Sequence, residues 1–373
     1  MNRLFRYILF FSFAIVSFYF AWSQGGRQIN ESEYESLSSS IPPLIIRSLG
    51  YDRNNGNIVG IQPIINPMDY SSEERFYDKI DSYLHTAKKR GFLNENTIVA
   101  FPEHIGTGLV LLGEKSSVYS SSSLTIAFTE MAFSNLLSYI GTSFTKTHDS
   151  QTELVFKMKS EEMRNSYVET FKRLSSVYNV TILAGSILLP EPEIDKTKNT
   201  IQLKNGKLQN ASFIFLPDGK IYDQIGIKKQ LAVSEGQISI PRKAEMGNLK
   251  YKNILILFSN DSLYNSIYGE TGKDTEIVLV IAAILQGDSL DWKLEDINGA
   301  KEPDLGLTQA ELWRKYNVFD KTRNSLSNKI TMQIVLLGKF FDMILEGETS
   351  ALIRYVATEG IDNKSPAILN VWF

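Results

Sequence analysis

The chain has no cysteine and only three histidines, His85, His104 and His148, in 373 residues. The first absence excludes disulfides, thiolate metal sites and a sulfur nucleophile; the second leaves few bases for a Ser-His-Asp triad and too few imidazoles for a histidine metal cluster. An excess of one charge is missing too. The 39 basic and 42 acidic residues are interspersed and give a net charge of -3, with no basic stripe for a phosphate backbone and no acidic tail, so nucleic acid is not an expected partner. There is no Gly-x-Ser-x-Gly elbow, no His-Glu-x-x-His helix and no phosphate loop. Gly106-Thr-Gly108 falls short of a dinucleotide fingerprint, because Leu111 stands where the third glycine belongs. Ser143-Phe-Thr-Lys146 fits a Ser-x-x-Lys pattern, but two fixed letters recur by chance in a chain rich in both. Neither a metal nor a cofactor is called for.

What the sequence does hold is a core: 43% of its residues are hydrophobic, ample for one large domain. Arg3 and Arg6 precede an apolar run from Tyr7 to Trp22, and Ala21-Trp22-Ser23 offers small residues where a signal peptidase cuts. Residues 1–23 therefore read first as a cleaved signal peptide, and second as a membrane anchor slightly short of the roughly 18 residues a spanning helix needs. Either reading places the rest of the chain outside the cytoplasm, secreted, periplasmic or held on the membrane by this segment alone. Residues 24–50 are polar and read as a linker, and 51–373 as the folded domain.

That domain begins strand, helix, strand. Asn57–Gln62 is an apolar run between Asn-Gly and Pro63; Ser71 and Glu74 form a possible capping box ahead of Phe76, Ile80, Tyr83, Leu84 and Ala87 at helical spacing; Thr97–Phe101 ends at Pro102-Glu103. Met163, Tyr167, Phe171 and Leu174 predict a further helix, Val180–Leu189 a strand, and Pro217-Asp-Gly219 the turn of a hairpin. Asn253–Phe258 and Glu276–Ala282 read as buried strands and Met332–Leu345 as an apolar helix, while Gly108–Ser150 reads as irregular or inserted.

Three strand ends carry chemistry. Glu103 follows a buried strand, where loss of hydration raises a carboxyl pKa toward general-base use, though an exposed loop glutamate has the same local sequence. Lys228 and Lys229 end a strand where an ammonium suits a developing oxyanion, or merely guards a sheet edge. Ser259-Asn-Asp261 ends the run Ile254–Phe258.

In this order, with Gly60-Ile-Gln62, Phe101-Pro-Glu103, Thr107-Gly108, Ala184-Gly-Ser186, Asn210 to Gly219 and Lys228-Lys-Gln-Leu231-Ala-Val-Ser-Glu235, the sequence resembles the nitrilase, or carbon-nitrogen hydrolase, superfamily over residues 57–362. Arg354–Gly360 is loosely similar to the family's closing segment. The resemblance implies an α/β fold, a four-layer α-β-β-α sandwich, with the site at strand ends from both sheets and association through outer helices into homo-oligomers. It also implies Glu103 as base, Lys228 as oxyanion cation (Lys229 in the alternative register) and Glu235 as the additional glutamate. Aligning Asp261 with the family's Cys-x-Asp setting puts Ser259 where the nucleophilic cysteine stands.

A thiol ionises near pKa ~8.5 and a hydroxyl near ~15.7, a gap on the order of 10 kcal/mol for forming the anion. Glu103 is poorly matched to a hydroxyl, and His104, its neighbour in sequence, is expected to point away. The first expectation is thus a degenerate, non-catalytic member that binds a small amide, carboxylate or nitrile. The alternative is an amide hydrolase or acyltransferase using Ser259 or an activated water, with Glu103 as base.

Overall fold

The computed structural model describes residues 3–144, 149–231, 235, 249–264, 275–288, 304, 306–316, 318, 319, 322, 330–353, 356, 357, 360, 361 and 363–373. Two six-stranded sheets form its centre. The first runs β1 (Ile45–Leu49), β19 (Ala367–Trp372), β2 (Asn57–Gln62), β4 (Thr97–Ala100), β5 (Thr181–Leu183), β8 (Ile214–Phe215); the second runs β10 (Leu249–Tyr251), β11 (Ile254–Phe258), β12 (Ile277–Ala282), β14 (Ile330–Val335), β17 (Ser350–Ile353), β18 (Val356–Ala357). A four-stranded sheet of β3 (Ile64–Ile65), β13 (Ile284–Leu285), β15 (Leu337–Phe340) and β16 (Met343–Glu346), and a three-stranded one of β6 (Ile187–Asp195), β7 (Thr200–Ser212) and β9 (Gly226–Ile227), flank the strand tips.

The two-residue period of a strand sorts each sheet's side chains into an inner and an outer face. Ile58, Ile98, Ala100 and Leu183 of the first sheet meet Ile254, Ile256, Phe258, Leu279, Ile281, Met332 and Ile334 of the second in one apolar cluster. A Cβ on Gly60 would lie 2.4 Å from the terminal methyl of Met332 and 3.1 Å from Ile334, so the two sheets approach closely there and a side chain at 60 would make Met332 shift. Val59, Val99 and Ile182 face outward onto α3 (Glu73–Lys89) and α7 (Gln151–Tyr178) through Phe76, Ile80, Phe171 and Leu174. Leu255, Leu257, Val278 and Val280 face the other way, onto Leu312 and Trp313 of the helix Gln309–Lys315. Helix, sheet, sheet, helix is the expected sandwich. Parallel pairing of β2 with β4 and of β4 with β5 makes α3 and α7 crossover helices.

Several local expectations change. The segment 24–50 expected to be a linker carries α2 (Glu31–Ser39) and the edge strand β1, which pairs parallel with β19. Val180–Leu189 is two strands, because Gly185 turns the chain at φ +61°. Met332–Leu345 is no helix but β14, β15 and β16: β14 is buried on both faces, and a short run apolar throughout does not show which period it follows. The cap of α3 is Ser72, not Ser71, its hydroxyl accepting from the Arg75 N–H. Gly108–Ser150 holds α4 (Ser116–Tyr119), α5 (Leu124–Ser134) and α6 (Leu136–Phe144). The Pro-Asp-Gly turn forms as expected, with Gly219 at φ +76° donating to the Leu216 carbonyl at 2.8 Å. Arg354, Tyr355, Thr358 and Glu359 of the closing segment, and Lys146 and His148, lie outside the described residues.

Candidate active site

Glu103 reaches the site on a turn held at both ends. Phe101 still donates to the Leu183 carbonyl at 2.9 Å; beyond it the His104 N–H donates to Ser186 Oγ at 2.8 Å and the Gly106 N–H to the Ser186 carbonyl at 2.9 Å. The Ala-Gly-Ser segment must therefore lie directly under Pro102, and a Cβ on Gly185 would stand 2.0 Å from the Pro102 carbonyl oxygen. Only glycine fits that approach and that φ.

Lys228 follows β9, whose pairing with β7 continues into a bond from the Lys228 N–H to the Asn210 carbonyl at 3.0 Å. Its Nζ lies 2.9 Å from Glu103 Oε1 and 2.8 Å from each Glu235 oxygen. Ser259 ends β11, and its Oγ donates to Glu103 Oε2 at 2.6 Å. The Asp261 carboxylate accepts the backbone N–H of Lys229 at 3.2 Å and of Gln230 at 2.7 Å, joining the lysine segment to the serine tip. The four site residues read from the sequence thus meet at one place, in the Lys228 register; Lys229 contributes its backbone.

Three further groups complete the cluster. Asn210 Nδ2 donates to Glu103 Oε1 at 2.7 Å, so both oxygens of this wholly buried carboxylate are occupied. The segment Asn210 to Gly219 marked Asn210 in the sequence without assigning it a task. His104 does not point away: its left-handed φ of +62° re-aims the side chain, bringing Nε2 within 3.2 Å of Glu235 Oε1 and Nδ1 within 3.0 Å of Thr107 Oγ1. Adjacent residues diverge in a strand but not across a left-handed turn, and no residue type at position 104 announces one. Ser186 fixes the turn that carries Glu103. His85 lies apart, exposed on α3.

Burial alone would lower the Lys228 pKa, but Glu103 and Glu235 outweigh it and hold the ammonium above its ordinary value. Burial likewise pushes the Asp261 carboxyl up to about 7, against the Gln230 and Lys229 N–H groups that favour its ionised form. Glu103, His104 and Glu235 offer ligand atoms within 4.8 Å of one another, the spacing of a metal site. The Lys228 ammonium already supplies a cation between the two carboxylates, so this donor set fits a metal poorly.

A cavity of about 200 Å³ opens above the cluster. His104, Thr107, Thr152, Glu235 and Asp288 are its polar lining, while Phe128, Phe156, Leu188, Phe340, Met343 and Leu345 supply apolar surface. Ser259 lies beneath, with no exposed surface. The cavity presents the His104 imidazole and the Glu235 carboxylate beside an apolar wall, while Lys228, Glu103 and Ser259 lie buried behind them and paired with one another.

No protein-family model matches the sequence, and no curated protein matches it. Solved structures share its architecture. A Cys-to-Ala mutant of the amidase from Nesterenkonia sp. AN1, from the nitrilase superfamily, is 12% identical with a TM-score of 0.50, over 85% of this chain and 90% of that one. The same mutant in complex with butyramide is 11% identical, TM-score 0.50, over 86% and 93%. A double mutant of that amidase in complex with acrylamide is 11% identical, TM-score 0.50, over 87% and 92%. At these identities the likeness speaks for the fold, and the fold of this chain is that of the nitrilase superfamily.

Proposed function

We propose that this protein binds a neutral amide with an apolar acyl part and does not hydrolyse it. The observation that carries this reading is the Ser259 hydroxyl, wholly buried and donating to Glu103 at 2.6 Å beneath the cavity. A carboxylate is a weak base for an alcohol, and the acidity gap of roughly seven pK units between thiol and hydroxyl works against making the nucleophile. Two carboxylates face one ammonium, so a carboxylate ligand would add to an excess of negative charge. A nitrile accepts hydrogen bonds but has no N–H for Glu235. An amide has both, and the butyramide complex of the Nesterenkonia amidase mutant supports that class. Calorimetric titration with hexanamide and with hexanoate tests it: the amide should bind and the acid bind markedly more weakly, whereas equal or reversed affinities count against it.

One observation favours a second reading, an amide hydrolase or acyltransferase. Glu103 is within general-base reach of Ser259, and Lys228 is 2.9 Å from the same carboxylate. Here Ser259 Oγ attacks the amide carbon as its proton passes to Glu103, the C–N bond breaks as the amine takes that proton, and water releases the acyl group. Ammonia released from hexanamide by the wild-type protein, and abolished in Ser259→Ala, would favour it.

For the N-terminus we propose a retained membrane anchor. The helix α1 (Arg3–Gln24) contains an apolar span, Phe5–Gln24, whose large apolar side chains are exposed, Ser23 near its end being buried. Its end is tied to the domain: Lys115 Nζ donates to the Trp22 and Gly25 carbonyls at 2.7 and 2.6 Å, and Arg27 donates to the Gly113 carbonyl at 2.6 Å. Arg3 and Arg6 at the other end suit the cytoplasmic side.

A further inference from the structure

We infer that α5 and α6 lie in the outer surface of the same bilayer that α1 crosses, a reading that rests on α1 being retained. From Leu124 to Phe144 the sequence carries one charged residue, Glu130, and that carboxylate accepts the Ser117 hydroxyl on α4. Five large apolar side chains of this segment face outward: Ile126, Phe133, Leu137, Ile140 and Phe144, with Phe144 79% and Leu137 68% exposed. Exposed large apolar side chains gathered in one segment of the chain point to an interaction surface.

The geometry says what covers it. Tyr19 Oη donates to the Phe133 carbonyl at 3.1 Å and accepts the Leu136 N–H at 3.1 Å, so the α5–α6 junction is fixed beside residue 19 of α1. Gln24, the last of the apolar span, lies five positions after Tyr19. At 1.5 Å per helical residue the junction lies about 7.5 Å inside the end of that span. Interfacial helices sit roughly 5–10 Å into the headgroup and acyl boundary, so the registers agree. Tyr19 and Trp22 stand where an aromatic belt belongs, and Lys115, 4.7 Å above the Trp22 ring, and Arg27 stand just beyond it at headgroup level. The opposite side of α5 carries Phe128 and Leu124 into the cavity. One helix thus separates lipid from the apolar chamber, which suits an acyl amide arriving from the membrane.

The absence of cysteine makes the test clean. Full-length protein carrying Phe133→Cys, Leu137→Cys or, as control, Glu95→Cys at the opposite end of β4 is labelled with an environment-sensitive fluorophore and mixed into phosphatidylcholine vesicles. Circular dichroism checks the fold, and flotation of unlabelled protein checks the anchor. The labels at 133 and 137 should shift to the blue and be quenched several-fold more than the control by lipid bearing a nitroxide high on its acyl chain. Floating protein whose 133 and 137 labels behave like the control overturns the inference and leaves the anchor standing. Labels shielded from water but not quenched by the lipid, with disulfides forming between chains at position 137, assign the face to a second copy and also overturn it. Failure to float overturns both.

Discussion

Ser259 Oγ and Glu103 Oε2 are 2.6 Å apart, at the tips of strands from different sheets and 156 positions apart in sequence. The bond joins the two layers, and it does so with a hydroxyl whose proton has little tendency to leave. Its physical role in the resting protein is to satisfy one oxygen of a buried carboxylate.

Ser259→Ala removes that donor and leaves Glu103 Oε2 with only the Ser259 N–H at 3.4 Å. The expected cost is about 1–3 kcal/mol, the penalty of an under-satisfied buried acceptor. It should show in urea unfolding as a lower midpoint with an unchanged slope. No change in midpoint would mean the carboxylate is solvated in solution.

Lys228→Met leaves two carboxylates facing each other without their cation. Breaking such a buried pair costs on the order of 3–5 kcal/mol. Adding Glu103→Gln, which removes one of the two charges, should restore part of that loss, so the double variant is more stable than the sum of the two singles indicates. Additive losses in denaturant unfolding would show that the ammonium and the carboxylate do not interact.

Asp261 sets a pH dependence. Its folded-state carboxyl titrates at about 7 because of burial. The unfolded chain titrates near the ordinary ~3.9. Between these values the folded protein holds a proton that the unfolded chain has released, so this contribution is fully present below pH ~4 and is lost as pH rises through about 7. Asp261→Asn stays neutral, and its stability relative to wild type should climb across that window and level off above it. Parallel stability curves for the two proteins would refute the shift.

Gly185→Ala places a Cβ 2.0 Å from the Pro102 carbonyl oxygen, at a φ of +61°. The left-handed strain alone costs of order 1–3 kcal/mol, and the clash adds displacement of the turn that carries Glu103. Thermal unfolding and amide titration should both suffer. Gly91 has φ +72° with open space around it, so Gly91→Ala should lose stability without losing binding.

Much of this site could be read in the sequence because strand ends are local: an apolar run stopping at Glu103, at Ser259 or just before Lys228 fixes which residue leaves the sheet. The family order then brings the ends together, which no single run can do. What escaped depends on backbone conformations without a sequence signature, such as the left-handed turn that brings His104 inward. It also depends on runs apolar on every face: Met332–Leu345 satisfies a helix and a strand equally until its partners β17 and β3 are known. The α5–α6 segment escaped for a related reason: α5 carries apolar residues both inward, at Phe128 and Met131, and outward, at Ile126 and Phe133, so no single core-facing stripe marks it as a helix.

The central claim is that a complete amide-binding site stands idle because oxygen occupies the place of sulfur. The most direct measurement is ammonia release from hexanamide by wild-type and Ser259→Cys protein, side by side, after calorimetry has established that both bind it. The account expects no release by the wild type and measurable release by Ser259→Cys. Release by the wild type that disappears in Ser259→Ala, or binding by Ser259→Cys with no release at all, would contradict it.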